Sequence, residues 1–205
     1  MIQNEISFLL KKFNVNVKGI LHVGAHECEE YPTYLDFTSN ILWIEALPHL
    51  IEKSLLKNPK LNIINAVVSN TDDQVVEFNI TNNTKCSSIL NLDYHKEIHP
   101  EVVIERQITL KTKTIQTIYK ENNINKNKYN ILIMDIQGAE LLALKGMDDI
   151  INNIDAVYIE VNEKTLYKDG CLLEDLDTFF FTLGYDRKYL MLLNSYGNAF
   201  YLKSK

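Results

Sequence analysis

The chain has 205 residues, 46% of them hydrophobic, and a net charge of −6 at neutral pH. That is enough apolar material for one buried core, so a single domain spanning 1–205 is expected, and the acidic balance leaves no basic field to hold nucleic acid. Three cysteines without CxxC spacing argue against a disulfide framework or a zinc site, so no metal ligand is assigned. A reducing, cytoplasmic setting is the default, and no stretch approaches the roughly 20 apolar residues of a membrane span.

Ile2, Ile6, Leu9, Leu10 and Phe13 fall on one helical face, which predicts an amphipathic helix within 1–16 that lids one side of a sheet. The apolar run 17–23, closed by Gly24, reads as the first strand, and 31–37 as helix. A short apolar run over 41–44 ends on Glu45, with Pro48 placed where a new helix over 50–57 begins, and 61–68 makes a third strand. This alternation predicts an α/β fold with a parallel sheet covered on both faces. Within 72–117 the pattern changes to partly exposed alternation at 75–80 and 106–112, an antiparallel elaboration on the substrate side. The basic run KENNINKNK, 120–128, reads as a solvated loop. Strands follow at 129–134 and 156–161, separated by a helix that Gly146 interrupts, then a helix at 172–183. Two closing runs, 188–193 and 199–202, joined by Asn194-Ser195-Tyr196-Gly197-Asn198, carry a hairpin signal.

Two strand ends carry the chemistry. In LHVGAHECEE, 21–30, Gly24 permits a sharp turn and close approach to a ligand, and the helix start that follows offers free amides to an anion. Glu45 ends the next strand about twenty residues on, where an acid that accepts from two ribose hydroxyls belongs. GxGxxG is incomplete, the later positions being His26 and Cys28-Glu29. Without the later glycines a pyrophosphate is disfavoured, and a cofactor with a small charged tail, such as S-adenosylmethionine, is expected. In ILIMDIQGAELLALKGM, 131–147, a buried-strand pattern ends on Asp135 and turns directly into a helix. An acid at the carboxyl tip of such a sheet faces the ligand crevice, which makes Asp135 the candidate general base. Its alternative role is a carboxylate that bonds the amides of the following helix start, the role also given to Glu140.

Glu160 and Asn162 alternate with Val161 at the end of the fifth strand, so both project to one side, toward the pocket or toward hydrogen bonds that pin the adjoining loop. Glu160 joins the catalytic set and Asn162 the acceptor-binding set with Ser87, Ser88 and Gln137. His95 and His99 sit on the elaboration near those serines, either as aids to proton removal or as solvated side chains. His95 is kept as a catalytic candidate. Trp43 and Tyr167 read as packing residues, with stacking on a sugar face as the alternative for Tyr167.

Taken in order, LHVGAHECEE, LWIEALPHL, NAVVSN, CSSIL, MDIQGAELLALKG, IEVNEKTLYKDGCLLEDLD and YGNAFYL resemble the FkbM-type S-adenosylmethionine-dependent methyltransferases, over about 20–202. The resemblance implies a Rossmann-like class I methyltransferase fold and methyl transfer to a hydroxyl oxygen of a sugar, polyketide or similar metabolite. It places Gly24, Ala25 and His26, with His22 beside them, along the cofactor's methionine part, and Glu45 and Ala46 at its ribose. Ala66 and Val67 fall at its adenine, and Asp135 with Ile136 beside the sulfonium methyl. His22, Cys28 and Asn198 stand where many members carry Asp, Gly and Asp. The expected activity is therefore O-methylation of a small hydroxylated acceptor, a sugar or glycan precursor preferred, with no nucleic-acid or membrane partner and a homodimer left open. A nicotinamide-dependent oxidoreductase and a catalytically silent cofactor-binding module are the rival readings.

Overall fold

The computed structural model describes residues 2–204. Met1 and Lys205, the ends of the expected 1–205 unit, lie outside the described residues, as does the side chain of Ile2.

Seven strands form the main sheet: β1 (Ile20–Val23), β2 (Ile41–Glu45), β3 (Ile63–Asn65), β7 (Ile131–Met134), β8 (Ala156–Asn162), β9 (Tyr185–Leu193) and β10 (Tyr196–Lys203). Their order is β3-β2-β1-β7-β8-β10-β9. The pairs from β3 to β8 are parallel, whereas β10 runs antiparallel to both β8 and β9. Strand order reverses between β1 and β7, and a ligand crevice belongs outside the carboxyl ends of those two strands.

Both faces of the sheet are buried, and side-chain alternation sorts the residues between them. Ile20, Trp43, Ile131, Ile133 and Tyr158 face a cluster closed by Ile6, Leu9 and Leu10 of α1 (Ile2–Lys12) and Tyr34 of α2 (Tyr31–Tyr34). Leu21, Ile44, Leu132, Met134 and Ile159 face the other, built with Ile115 and Ile118 of α5 (Ile115–Glu121), Leu144 of α6 (Glu140–Lys145) and Phe180 of α7 (Leu173–Thr182). Each large side chain moved from water contributes about 1.5–3 kcal/mol, which is why continuous apolar runs settle here as interior strands.

Local chemistry sets the ends of the elements. Pro48 occupies the first turn of α3 (Pro48–Lys57), where its missing N–H costs nothing. Asn194 and Ser195, with φ of 54° and 72°, make the two-residue turn that joins β9 to β10, a backbone that matches the twist of a hairpin.

Two expectations are corrected. The run 61–68 is not one strand: it breaks at Ala66 into β3, on the main sheet, and β4 (Val67–Val68), which pairs with β6 (Ile104–Lys113) in a separate sheet of order β4-β6-β5. β5 (Val75–Thr81) supplies its antiparallel edge. The helix read over 31–37 shrinks to the four residues of α2.

Asn130 ties the amino ends of the central strands together. Its Oδ1 accepts from the amides of Lys18 (2.8 Å) and Gly19 (3.4 Å), while Nδ2 donates to Asn16 O and Asp155 Oδ2, both at 2.7 Å. Asn130→Ala removes the hydrogen bonds of a buried side chain and leaves the buried Gly19 amide without this acceptor, and is expected to cost about 1–3 kcal/mol in urea unfolding with the fold retained. A loss under about 0.5 kcal/mol would contradict this account.

Candidate active site

The exits of β1, β2 and β7 meet at the reversal point. Gly24 has φ of +86°, and a Cβ there would lie 1.9 Å from the carbonyl oxygen of Asp135. Only a glycine lets the two turns run in contact. Left-handed backbone at His26 and Cys28 (φ 45° and 54°) then folds the turn back toward β2, and the His26 amide donates to Glu45 Oε2 at 2.8 Å. The Leu47 amide donates to Glu45 Oε1 at 2.9 Å. Burial raises the Glu45 pKa while these backbone amides oppose the shift. Each carboxylate oxygen keeps a second lone pair, so Glu45 can still accept from two neighbouring hydroxyls.

These exits open into a cleft of about 910 Å³, and every residue assigned above to the cofactor lines it. The wall opposite the turns is apolar, formed by Leu47, Val67, Phe78 and Ile89. Lys85 and Thr84 approach from the loop after β5: His26 Nε2 and Thr84 Oγ1 are hydrogen-bonded at 2.9 Å, and Lys85 Nζ donates to Glu29 Oε2 at 2.6 Å. His26 Nδ1 is buried without a partner. The donor set fits an adenosyl cofactor: Glu45 for vicinal hydroxyls, the apolar wall for a purine, and the turn from Gly24 to His26 for a charged tail.

Beneath the cleft is a second acidic group. Asp135, at the tip of β7, lines the cleft, and its carboxylate lies with an oxygen within 4.8 Å of one of Glu160 on β8. Gln137 Nε2 donates to Asp135 Oδ1 (2.6 Å) and to Glu160 Oε2 (2.9 Å). Gln137 is itself held twice, its Oε1 accepting from the Tyr167 hydroxyl at 2.5 Å and its carbonyl from Ser88 Oγ at 2.8 Å. Burial pushes up the Asp135 pKa against the hydrogen bonds from Gln137 and Glu160. Burial and then the charge of Asp135 hold Glu160 well above the usual carboxylate range.

Glu140, fully buried, accepts from the amides of Ile136 (2.9 Å) and Gly138 (3.2 Å), so it braces the turn that presents Asp135, the structural role expected for it. Its pKa is pushed up to about 7 by burial. Oxygens of Asp135, Glu140 and Glu160 lie within 4.8 Å of one another, and those of Glu140 are already engaged by the two amides and by Cys171 Sγ.

The remaining sequence candidates fall in different places. Ser87 and Gln137 line the cleft. Ser88 does not face it; its hydroxyl is spent on Gln137 O and on the Leu90 amide. Glu160 stands behind Asp135 rather than on the cleft wall. Asn162 is buried, with Oδ1 unpartnered, at the edge where β8 pairs with Tyr196 of β10, away from the lining. His95 does not reach the cleft: it heads the short helix α4 (His95–Ile98) and packs its ring 5.6 Å from that of Tyr167 and 5.2 Å from that of His99. Tyr167, read from the sequence as packing with sugar stacking as the alternative, is buried in a hydrophobic cluster, and its hydroxyl also donates to Gln137 Oε1. Glu29, Glu30, Thr84 and Lys85, which also line the cleft, had no periodic signal to mark them.

The strand order with its closing antiparallel hairpin defines a class I S-adenosylmethionine-dependent methyltransferase fold. Similar solved structures include an S-adenosylmethionine-dependent methyltransferase from Clostridium acetobutylicum, with TM-score 0.57 and 7% identity over 99% of this chain and 91% of that one. TrmK of M. capricolum, solved with S-adenosylhomocysteine, has TM-score 0.54 and 10% identity over 99% and 67%. CalS10, an amino pentose methyltransferase from Micromonospora echinaspora solved with S-adenosylmethionine bound, has TM-score 0.54 and 7% identity over 98% and 90%. No curated protein matches the chain by sequence. The methyltransferase FkbM domain matches residues 22–187, and the chain belongs to that family. It is an S-adenosylmethionine-dependent methyltransferase, and the nicotinamide reading is set aside.

Gly24→Ala places a methyl group against Asp135 O on a left-handed backbone, so the two turns must part. S-adenosylhomocysteine affinity by calorimetry is expected to fall at least ~10-fold, the loss of about one well-made polar contact. Affinity equal to wild type would show that the contact does not shape the cleft.

His22 gives a pH signature. Its Nδ1 shares a hydrogen bond with the Tyr34 hydroxyl at 3.1 Å, its ring lies 4.8 Å from that of Trp43, and burial lowers its pKa to about 3. An unfolded chain takes up this proton below 6.5 and the native chain does not until about 3, so His22 stabilises fully above 6.5 and progressively less as pH falls through that window. Wild type should lose on the order of 1 kcal/mol more per pH unit than His22→Asn across the window, read from urea midpoints. Parallel curves for the two proteins would refute it.

Proposed function

We propose that the protein transfers a methyl group to a hydroxyl oxygen of a small acceptor, a sugar or glycan precursor, with Asp135 as general base. One observation carries this reading: the only strand-tip carboxyl groups lining the cleft, among the described residues, are Glu45 and Asp135. Glu45 is engaged by backbone amides, leaving Asp135 to meet the acceptor. Bound S-adenosylmethionine supplies an electrophilic methyl group on a sulfonium.

The chain's own residues do the rest. Leu47, Val67 and Phe78 exclude water from one side of the cleft, which strengthens the polar contacts within it. Glu140 braces the 135–138 turn through two amides, and Gln137, oriented by Tyr167, aims a donor at Asp135 Oδ1. Asp135 lines the cleft, where it meets an acceptor hydroxyl and removes its proton, work that typically speeds a reaction ~10²–10⁴-fold. Ser87 supplies a further polar atom on the lining. The amino pentose named for CalS10 supports a saccharide as the class of acceptor to test first.

A panel of hydroxylated saccharides and their matched deoxy forms, assayed for S-adenosylhomocysteine formation, tests the reading. Turnover with a hydroxylated member and none with its deoxy form is expected. Asp135→Asn should cut that turnover at least ~100-fold while S-adenosylhomocysteine affinity stays within a few-fold. Methyl transfer confined to nitrogen or sulfur acceptors, or full activity in the variant, would overturn it.

A further inference from the structure

Among the described residues, no cation is paired with Asp135 or Glu160, the acids beside the cleft. The groups facing the Asp135–Glu160 pair are Glu140 on α6, Tyr158 on β8, Tyr167 in the loop after β8, Cys86 and Lys85 in the loop after β5, and Glu30 at the entry to α2. Among these Lys85 alone is positive, and its ammonium sits on Glu29 at 2.6 Å. Two carboxyl groups whose oxygens lie within 4.8 Å and share one amide donor do not both ionise readily when no cation compensates them; one proton stays between them.

The amide next to them donates to both acids and favours their ionised forms. Gln137 Nε2 donates to an oxygen of each acid, while the Tyr167 hydroxyl on Oε1 keeps the amide from turning its oxygen toward the pair. Both acids are half-buried, and the proton belongs to the couple rather than to either one.

We propose that the Asp135–Glu160 couple carries one proton until a sulfonium cation enters the cleft, and then releases it to solvent, so that binding of the methyl donor arms the base. The proposal rests on Asp135 being that base. Charge balances over the cycle. The doubly ionised couple beside a cation takes the acceptor's proton as the oxygen gains the methyl group, the O–H and S–CH3 bonds breaking and the O–CH3 bond forming. A singly protonated couple beside a neutral thioether remains. Gln137 and Tyr167 act as positioning residues.

S-adenosylmethionine and S-adenosylhomocysteine differ in this one charge, so calorimetry of both, in buffers of different ionisation enthalpy, reads the effect without an acceptor. In the pH range where the free couple keeps its proton, S-adenosylmethionine should release up to one more proton than S-adenosylhomocysteine, and its affinity should climb by up to ~10-fold per pH unit while that of the product stays flat. Asp135→Asn and Glu160→Gln should each abolish the difference, with product binding showing that they remain folded. Tyr167→Phe, which frees the amide to turn, should raise the pH midpoint, because the Gln137 donor favours the ionised form. Equal proton release and parallel pH curves for the two nucleosides in the wild-type protein would overturn the coupling and leave the O-methyltransferase reading standing. Failure of both nucleosides to bind would remove that reading as well.

Discussion

In the molecule's working half backbone runs against backbone, where Gly24 leaves room for the carbonyl of Asp135. The same junction is stitched by hydrogen bonds, Asp135 N to Val23 O at 3.1 Å, and the amides of Gly24 and Ala25 to Ile44 O at 3.0 and 3.1 Å. Three strand exits are thereby held as one rigid corner, and the positions of Glu45 and Asp135 follow from it. The two acids differ in what holds them. Glu45 takes backbone amides, donors that cannot leave without unfolding the turns, and suits a carboxylate that accepts hydrogen bonds continually. Asp135 takes a side-chain amide and a neighbouring acid, partners that can adjust as protonation changes. Environment, more than residue type, separates their roles.

The small sheet β4-β6-β5 completes this corner rather than standing apart from it. The loop after β5 reaches both halves of the cleft: Thr84 meets His26 on the β1 side, while Ser88 and the carbonyl of Cys86 meet Gln137 and Tyr167 on the β7 side. Loops carry function when a scaffold fixes them, and here these three polar contacts fix one loop to both sides of the cleft. A change in that loop therefore acts on the donor side and the acid side together.

Legibility in the sequence followed the range of the interactions. Gly24, Glu45 and Asp135 could be found because each closes a buried apolar run, and sheet geometry puts such ends at a common edge. The hairpin was visible because two left-handed residues leave a local mark at Asn194 and Ser195. The break at Ala66 was not visible, since Ile63 to Val68 reads as one β-forming run and only pairing with β6 assigns Val67 and Val68 to another sheet. The Tyr167–Gln137 contact joins residues 30 apart across a loop, and nothing periodic links them. Alternation correctly put Glu160 and Asn162 on one side of β8 but not at one depth: Gln137 covers the first, while the second ends beside β10.

The placement of His95 shows how the acid pair is supported from behind. From the cleft inward run Asp135, Gln137 and Tyr167, joined by hydrogen bonds, then the rings of His95 and His99, and finally Tyr196, whose hydroxyl meets His99 Nε2 at 3.2 Å. The members come from four segments, the 135–138 turn, the loop after β8, α4 with its cap and the carboxyl-terminal hairpin. Burial lowers the His95 pKa, so its ring is neutral against Tyr167 and adds no positive charge beneath the acids. A cation there would ionise Asp135 and Glu160 permanently; a neutral aromatic wedge positions Tyr167 without doing so. The histidine that looked catalytic by composition thus preserves the charge deficit of the site by staying uncharged.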